Sequence, residues 1–501
     1  MTIKQVLPFF LFLPLLAIGQ SDQAIITALD NYIEGARQQW EVPGLAVAIV
    51  KNGEVLLAKG YGVRSLTSEQ KVDTKTIFGI ASTTKAMVAA AMGLLVDEGK
   101  IDWDDKVSIH MPEFQLYDPY VTQELKVRDL FTHNAGLGNA DFLWYYNDLS
   151  ADEILERMRY AKPAYSFRGG YTYQNIMYLA AGQLIAKVSG VPWDQFMQER
   201  LFKPLGMTNT YPNQATSQPQ TNRSVPHHYL QEKIIPIEDC SADAIAPAGA
   251  IWSCVEDMAK WMQFMLDSAR VNGVSLLEKT TYEALFQPHA IISSDQFYPT
   301  AALTKPHWTT YALGWFQHDY HGRALSFHTG SLPGTVAIIG LVPDEQLGIY
   351  VLGNLDHAEV RHAIMYKVLD AFSPTQTEDR DWSTDLLELY NGFKERAQLT
   401  KAEKELQRVK NTQRSKPLDA YIGNYYDRFY GSVYVSLSQG ALHLDMSSQL
   451  SAQLEHWHYD TFNLIWSEAW MEPGLASFQL DEESGKVNAI KLGDRVYQRK
   501  N

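Results

Sequence analysis

The sequence is poor in cysteine. Only two of its 501 residues are cysteine, Cys240 and Cys254. Two cysteines are too few for the disulfide framework that holds many small secreted domains together. They could form a single disulfide bond or serve as small apolar side chains in the core, and we favour the second interpretation.

The sequence also lacks any cluster of basic residues that would offset its acidic ones. The formal net charge is −15 at pH 7, which disfavours nucleic acids and anionic membrane surfaces as partners.

Two common enzyme motifs are also absent. No Gly-x-Ser-x-Gly motif surrounds Ser82, which argues against an α/β-hydrolase nucleophile elbow. No glycine-rich phosphate loop follows a predicted strand. The sequence therefore predicts neither a nucleic-acid-binding protein nor a nucleotide-dependent enzyme.

Long apolar runs are absent except at the N-terminus. There, Lys4 precedes an apolar run from Val6 to Ile18, followed by the small residue Gly19. The run is shorter than the roughly 20 residues that a membrane-spanning helix needs. This pattern is typical of a secretory signal peptide, and we predict residues 1–19 as that peptide. The protein is then periplasmic or secreted, with no membrane segment after signal removal.

The remaining hydrophobic pattern indicates strands at both ends of a large domain and helices between them. Apolar runs flank Asn52-Gly53, a strong hairpin signal. Apolar periodicity predicts helices over 82–97, 174–188 and 255–269. Three β-rich runs follow within 324–356. The fold class predicted from this order is α+β, with an antiparallel sheet flanked by helices.

The last part of the chain changes character twice. Residues 20–372 carry the α+β pattern, and residues 373–416 are polar with a helical spacing, which predicts a helical linker. Residues 417–501 show short alternating runs separated by glycine-containing turns. This alternation predicts a small antiparallel β-barrel as a separate C-terminal domain.

Ser82 and Lys85 stand three positions apart at the start of an alanine-rich predicted helix. That spacing places both side chains on one helix face, about 5 to 6 Å apart at Cβ. A helix N-terminus also favours the negative charge that a serine alkoxide develops. The alternative is that Ser82 caps the helix and Lys85 faces solvent. Against it, Lys85 lies in a strongly apolar stretch, where an unpaired ammonium would be costly to bury.

Two further motifs carry groups that could act with Ser82. Tyr173 and Asn175 lie at the entrance to the next long helix, where a phenol could relay a proton and an amide could hold the lysine or the substrate. The alternatives are a packed aromatic ring and a helix cap. His328-Thr329-Gly330-Ser331 lies on a predicted strand, and a glycine in a strand allows close approach of backbone or substrate.

In this order, the three motifs resemble those of the serine hydrolases of the class C β-lactamase and penicillin-binding-protein superfamily. The resemblance covers about residues 25–370. It implies a β-lactamase/transpeptidase-like domain, and the C-terminal part resembles a lipocalin-like barrel. Four further segments resemble family landmarks: VRDLFTHNAGL (127–137), LFKPLGMTNT (201–210), PAGAIWSCVEDMAKWMQFML (247–266) and LGWF (313–316).

The resemblance implies a role for each side chain of the first two motifs. Ser82 is the acylated nucleophile, and Lys85 is its neighbour in proton transfer. Tyr173 is the general base for acylation and later the acid for the leaving group, although which of Lys85 and Tyr173 holds the proton stays open. Asn175 orients Lys85 and the substrate.

The third motif departs from the lactamase pattern. The resemblance implies that the backbone N–H groups of Ser82 and Ser331 form the oxyanion hole, that His328 and Thr329 line the pocket, and that Gly330 lies next to them in the same motif. β-Lactamases and transpeptidases carry a lysine at the position of His328. A histidine is mostly neutral at pH 7, so this position does not predict recognition of a substrate carboxylate. The motif is closer to the esterase and D-aminopeptidase-like branches.

The other histidines are not predicted to act in catalysis. His456 and His458 could bind a metal ion, but no carboxylate or cysteine has ligand spacing, so we predict no metal and no cofactor. His227 and His228 lie in a polar segment and are predicted to be solvated. His133 is predicted to be a hydrogen-bonded structural residue near the core.

These observations predict an exported serine hydrolase that cleaves small esters or short peptides, including peptides with D-residues. A β-lactamase or D,D-carboxypeptidase is the alternative within the same enzyme class. Outside it, the chain could be a catalytically silent ligand-binding protein of the same fold, or the barrel could be the functional part. A homo-oligomer through the C-terminal domain is a further expectation.

Overall fold

The computed structural model describes residues 18–373 and 379–500. The predicted signal peptide lies outside the described residues except for Ile18 and Gly19. Within the described ranges, no helix is both long enough and apolar enough to cross a membrane.

The chain forms an α+β domain followed by a β-barrel, which confirms the predicted fold class. The helices are α1 Ile18–Gln39, α2 Thr84–Asp97, α3 Val107–His110, α4 Pro119–Glu124, α5 Ala151–Arg157, α6 Asn175–Ser189, α7 Trp193–Met197, α8 Gln214–Ser217, α9 Ala246–Gly249, α10 Val255–Leu266, α11 Lys279–Phe286, α12 Ala301–Thr304, α13 Val360–Ala371 and α14 Trp382–Leu406. The strands of the first domain are β1 Gly44–Lys51, β2 Glu54–Gly62, β3 Phe78–Gly79, β4 His227–Leu230, β5 Lys233–Pro236, β6 Trp252–Ser253, β7 Arg270–Val271, β8 Val274–Ser275, β9 Ala290–Ile291, β10 Thr309–Tyr311, β11 Phe316–Tyr320, β12 Arg323–Leu332, β13 Thr335–Val342 and β14 Leu347–Gly353.

The main sheet is antiparallel and joins strands from both ends of the first domain. Its order is β2-β1-β14-β13-β12-β11-β10-β9. Strand β1 pairs with β14 from Leu45 opposite Gly353 to Lys51 opposite Leu347. The β1–β2 turn uses Asn52 and Gly53, both with positive φ, as the hairpin signal predicts.

Both faces of this sheet are covered, so its central strands are continuously apolar. In β1, Ala46 and Ala48 belong to one core cluster, whereas Val47 and Ile49 belong to a second cluster on the opposite face. Helices α2, α6 and α10 pack on the first side, and α1 and α13 pack on the second. Helix α2 is buried along almost its whole length, which explains why its sequence is apolar all round.

The C-terminal domain is a closed barrel in which each strand pairs with its sequence neighbour and β15 pairs with β22. Buried and exposed side chains alternate along its strands, so one face of each strand forms the barrel core. In β16, Val433 and Val435 are buried, whereas Tyr434 between them is exposed. The strands are β15 Gly423–Asp427, β16 Gly431–Ser438, β17 Ala441–Asp445, β18 Ser451–His458, β19 Thr461–Trp466, β20 Gly474–Leu480, β21 Val487–Leu492 and β22 Arg495–Arg499.

Candidate active site

Ser82 lies on a tight turn between β3 and α2. Residues 81–83 form a 3₁₀ turn, and the α-helix begins only at Thr84. The preceding residue, Ala81, has φ of 47°, a conformation that costs a non-glycine residue free energy and is common at functional sites. No side chain caps either helical segment. Ser82 is therefore not a capping residue, and its side chain faces a pocket.

Lys85 is fully buried beneath Ser82. Its Nζ donates hydrogen bonds to Asn175 Oδ1 at 2.7 Å and to the carbonyl oxygen of Ala248 at 2.7 Å, and it lies 3.1 Å from Ser82 Oγ. Burial lowers the pKa of the Lys85 amine well below its ordinary value, and the charge of Asp141 partly opposes this effect. The solvent-facing alternative for Lys85 is excluded.

Asn175 is the first residue of α6, and a carboxylate fixes its amide. Its Nδ2 donates to Asp141 Oδ1 at 2.8 Å, so its Oδ1 faces Lys85. Asp141 is itself held by Trp144 Nε1 at 3.0 Å and by Asn139 Nδ2 at 2.8 Å. Sequence reasoning missed Asp141. The sequence feature that could have pointed to Asp141 is a carboxylate among aromatic residues. Nothing in the sequence indicated that this segment contacts α6.

The Tyr173 ring lies against the same lysine. Lys85 Nζ is 4.8 Å from the centroid of the Tyr173 ring. The Tyr173 hydroxyl is shielded from solvent and interacts with the Ser82 hydroxyl. Burial raises the pKa of this phenol well above 10, and the neighbouring Ser82 hydroxyl partly opposes the rise. The structure thus brings Ser82, Lys85, Tyr173 and Asn175 together.

Strand β12 forms the opposite wall of the site. A Cβ atom on Gly330 would lie 2.3 Å from the carbonyl oxygen of Ile80 and 3.0 Å from the backbone nitrogen of Ser82. Only glycine lets the strand approach the Ser82 turn this closely. Thr329 and Ser331, on either side of Gly330, line the pocket. The backbone of Ser331 therefore follows directly after the point where the strand touches the nucleophile turn.

His328 does not line the pocket, contrary to our expectation. Side chains alternate along a strand, so His328 points away from Thr329 and Ser331 and is buried. Its Nδ1–H donates to the carbonyl oxygen of Thr329 at 2.6 Å, and its Nε2 accepts from the Tyr311 hydroxyl at 2.9 Å. Burial lowers the pKa of His328 to about 3. This histidine is therefore neutral and lies outside the pocket lining.

The pocket in front of Ser82 has a volume of about 680 Å³. Apart from the site residues already described, its walls are mainly aromatic. No lysine, arginine or histidine of the described chain lines it, and Asp141 is its one carboxylate. The aromatic lining consists of Trp144, Tyr145, Tyr171, Tyr173, Phe297, Tyr298 and Phe316.

His133 supports the segment that carries Tyr173. It is buried, its ring lies 4.4 Å from that of Tyr173, and its Nδ1 accepts a hydrogen bond from the backbone N–H of Gln174 at 3.0 Å. His227 is also buried, which corrects the expectation that it is solvated. The neighbouring His228 lies on strand β4 beside Asp356, with Nε2 3.0 Å from Oδ2.

The remaining sequence candidates take no part in this site. Cys240 and Cys254 are free thiols, both buried. His456 Nε2 donates to the carbonyl oxygen of Tyr459 at 2.8 Å, and His458 Nδ1 accepts from the backbone N–H of Val409 at 3.3 Å. In the part of the chain that the structure describes, no group of three or more histidine, cysteine or acidic side chains is arranged to hold a metal ion.

Comparisons with known proteins agree with this geometry. The family model described as Beta-lactamase matches residues 29–371. A second model, described as a domain of unknown function, DUF3471, matches residues 407–500. The first match covers more than half of the chain and confirms the resemblance inferred from the three motifs.

Similar proteins occur in fungi and bacteria. "Unguisins hydrolase ungD" of Aspergillus violaceofuscus is 27% identical over 461 residues, covering 85% of this chain and 80% of that protein. "Protein flp" of Staphylococcus aureus is 28% identical over 342 residues, covering 66% of this chain and 63% of that protein.

Two solved structures share the fold over almost the whole chain. The octameric penicillin-binding protein homologue from Pyrococcus abyssi has a TM-score of 0.59 and 20% identity, with coverage of 95% of this chain and 100% of that chain. SurE has a TM-score of 0.57 and 18% identity, with coverage of 97% and 100%. At these identities the likeness concerns the fold alone.

Proposed function

Because this chain belongs to the beta-lactamase family and is a serine hydrolase, we propose that it cleaves uncharged ester or amide substrates through an acyl-enzyme on Ser82. The observation that carries this proposal is the buried Lys85, whose Nζ lies 3.1 Å from Ser82 Oγ. Burying a lysine among apolar residues is costly, and strongly perturbed titratable groups cluster at functional sites.

Lys85 is the group best placed to take the proton from Ser82. Asn175 Oδ1 and the carbonyl oxygen of Ala248 can only accept hydrogen bonds here, because Asp141 fixes the orientation of the Asn175 amide. A neutral amine has two N–H groups, which these two acceptors use. The remaining lone pair then faces Ser82 Oγ–H. Burial lowers the pKa of Lys85, so the neutral amine is easier to reach here than it is in water.

Tyr173 suits the later proton transfer better than the first one. Burial raises the pKa of its phenol well above 10, which opposes the phenolate that a general base would require. We therefore assign the base to Lys85 and the relay to Tyr173. Ser82 Oγ attacks the substrate carbonyl carbon while its proton passes to Lys85. The bond to the leaving group then breaks, that group takes the proton of the Tyr173 hydroxyl, and Lys85 returns its extra proton to the Tyr173 oxygen.

Deacylation uses the same groups in reverse. A water molecule loses a proton to Lys85, its oxygen attacks the acyl carbon, and Ser82 Oγ leaves with the proton that Lys85 gives back. During both attacks, the carbonyl oxygen becomes negative beside the backbone N–H groups of Ser82 and Ser331. Each donor of such an oxyanion hole contributes about 3 kcal/mol to transition-state stabilisation. The approach of Gly330 to the Ser82 turn supports this arrangement.

The lining of the pocket favours uncharged substrates. It contains no basic side chain of the described chain, and His328 is neutral and turned away. A β-lactam, or a peptide bound by its terminal carboxylate, would bring an anion next to Asp141, and no basic side chain among the described lining residues would face it. This observation favours an esterase or peptidase over a β-lactamase or D,D-carboxypeptidase.

A substrate panel tests the proposal. We expect wild-type protein to hydrolyse p-nitrophenyl esters or amides of short peptides much faster than nitrocefin, and to be labelled by a fluorophosphonate. The Ser82→Ala variant should lose both hydrolysis and labelling. Turnover that survives in Ser82→Ala would refute the acyl-enzyme, and rapid nitrocefin turnover would refute the substrate class.

We also propose that the protein is exported, as its N-terminal sequence predicts. The supporting observation is the short apolar run between Lys4 and Gly19. Expression of the full chain in a bacterium, followed by fractionation and mass measurement, tests this. We expect mature protein that begins after Gly19 in the periplasm or the medium, and intact Met1 protein in the cytoplasm would contradict it.

We propose in addition that copies of the chain associate through the barrel. Tyr434 and Leu437 on β16 expose 49% and 40% of their surface, and one structural neighbour is described as octameric. Sedimentation of the wild type and of a Tyr434→Ser/Leu437→Ser variant tests this. A wild-type monomer at micromolar concentration would refute the association.

A further inference from the structure

A second cavity adjoins the Ser82 pocket and lies between the two domains. Its volume is about 1020 Å³. The two cavities share Tyr145, Ser331, Leu332 and Pro333 as lining residues. The far wall comes from the barrel, where residues 467–473 connect β19 to β20. We call this segment the Trp470 loop. A molecule bound at Ser82 can therefore extend past Pro333 into contact with the barrel.

The Trp470 loop is held in place by specific contacts. Trp470 Nε1 donates to Glu468 Oε2 at 3.1 Å within the loop. The Trp470 ring also lies 5.0 Å from the His228 ring and 6.0 Å from the Tyr146 ring, both in the catalytic domain. These contacts fix the Trp470 ring in the wall of the second cavity.

Two neighbouring hydrogen bonds hold the barrel against the first domain. Ser447 Oγ donates to the carbonyl oxygen of Tyr146 at 2.6 Å, and the Ser448 backbone N–H donates to Asp148 Oδ2 at 2.6 Å. Hydrogen bonds to a charged carboxylate are stronger than neutral ones. The barrel is thus tied to the same segment that supplies Tyr145 to both cavities.

Three carboxylates line this cavity, and among the described residues only Glu468 has no cationic partner. Glu472 pairs with Lys401 at 3.2 Å, and Asp356 pairs with His228 and with His357. Glu468 forms no ion pair with any described residue, and its contact is the neutral Trp470 indole. A carboxylate beside aromatic faces is a favourable environment for an ammonium group.

We propose that this interdomain cavity binds the distal part of an extended, peptide-like substrate, with an ammonium group facing Glu468. The inference rests on the proposed hydrolysis at Ser82 and adds its substrate class. The Ser82 pocket alone is within the usual range of about 300–1,000 Å³ for a drug-sized ligand. A small ester fits inside that pocket and leaves the larger cavity empty, whereas a peptide chain would use both. The barrel then selects the substrate.

The experiment compares substrates of different length on intact protein. The probes are p-nitrophenyl acetate and linear peptides of two to eight residues that carry L- or D-residues on both sides of each bond, with products identified by mass spectrometry. For Trp470→Ala, the ratio of kcat/KM for the long peptides to that for the acetate should fall about 10- to 200-fold, the effect of one missing apolar group in a pocket. Trp470→Phe, which keeps an aromatic ring, should retain most of the wild-type ratio.

Two further variants make the test specific. Tyr459→Ala removes an exposed aromatic ring from the opposite end of β19, and the ratio should not change. Glu468→Gln should slow only peptides that bear an ammonium group. Peptides with an acetylated amino terminus, or with norleucine in place of lysine, show which ammonium is recognised. Removing the recognised ammonium should slow hydrolysis by the wild-type protein as much as Glu468→Gln does.

Several results would overturn the inference. One is an unchanged ratio in Trp470→Ala, and another is an equal fall in Tyr459→Ala. A wild-type protein that hydrolyses the acetate but no peptide of any length would overturn it while Ser82 chemistry stands. Failure of the proposed function is recognised separately, by hydrolysis of the acetate that persists in Ser82→Ala.

Discussion

Gly330→Ala tests whether the contact between β12 and the Ser82 turn sets the geometry of the oxyanion hole. The added Cβ atom would lie 2.3 Å from the carbonyl oxygen of Ile80 and 3.0 Å from the backbone nitrogen of Ser82. Both neighbours are backbone atoms, so no side-chain rotation relieves the overlap. Strand and turn have to separate.

The size of that separation follows from the contact distance. Ordinary contact of a Cβ atom begins at 3.4 Å, so β12 has to withdraw by roughly 1 Å from Ile80. A misplacement of about 1 Å can reduce catalysis about 10²-fold, and losing one oxyanion donor costs about 10²- to 10³-fold in kcat. We therefore expect kcat for p-nitrophenyl acetate to fall about 100-fold.

The assay has to separate this geometric effect from a loss of folding. Overpacking costs about 1–3 kcal/mol of stability, so thermal unfolding is measured beside the steady-state rate and the fluorophosphonate labelling rate. The matched control is Gly392→Ala in α14, where a Cβ atom would meet nothing within 4 Å. A folded Gly330→Ala protein with kcat within twofold of wild type would refute the reasoning.

Three further predictions concern the lysine and the barrel. Lys85→Arg keeps a cation that cannot deprotonate, so turnover should fall about 10²- to 10⁴-fold, and activity near wild type would exclude Lys85 as the base. In wild type, the rate should fall as the pH drops through the lowered pKa of Lys85, since the base must be unprotonated. Asp141→Asn removes the charge that raises this pKa, so the acid limb of the pH–rate profile should move to lower pH, and a shift to higher pH would contradict the assignment. Truncation after residue 415 should lower kcat for the acetate at least about tenfold through displacement of the Asp141 segment, and an unchanged kcat in the folded first domain would refute that coupling.

Much of the fold could be predicted because the turn residues and hydrophobic patterns of short segments match the burial that these segments have in the structure. The Asn52-Gly53 turn, the apolar helix α2 and the alternation in β16 each follow from a short stretch of sequence. The continuous apolar runs of β13 and β14 also matched strands, because both faces of the sheet are buried. Strand order was not readable, since β1 pairs with β14 about 300 residues away.

The parts of the site that escaped prediction depend on tertiary contacts. His328 was expected in the pocket because its neighbours in the motif are there, yet strand alternation turns it to the other face. Asp141 could not be recognised, because its role exists only through a hydrogen bond to Asn175 on α6. His227 was misjudged because its segment is polar, although the ring is buried and bonded to the carbonyl oxygen of Asn354.

The barrel is connected to the catalytic lysine through one short segment of the first domain. Asp141 orients Asn175, and Asn175 accepts from Lys85. The next residue, Phe142, packs against two barrel rings, 5.6 Å from Phe429 and 4.6 Å from Tyr430 between ring centroids. A shift of the barrel therefore moves Phe142 and, with it, the carboxylate that fixes the Asn175 amide. The C-terminal domain can thus act on the base as well as on the substrate, because a rotated Asn175 would turn its N–H₂ group toward Lys85 and remove one of the two acceptors that hold the amine.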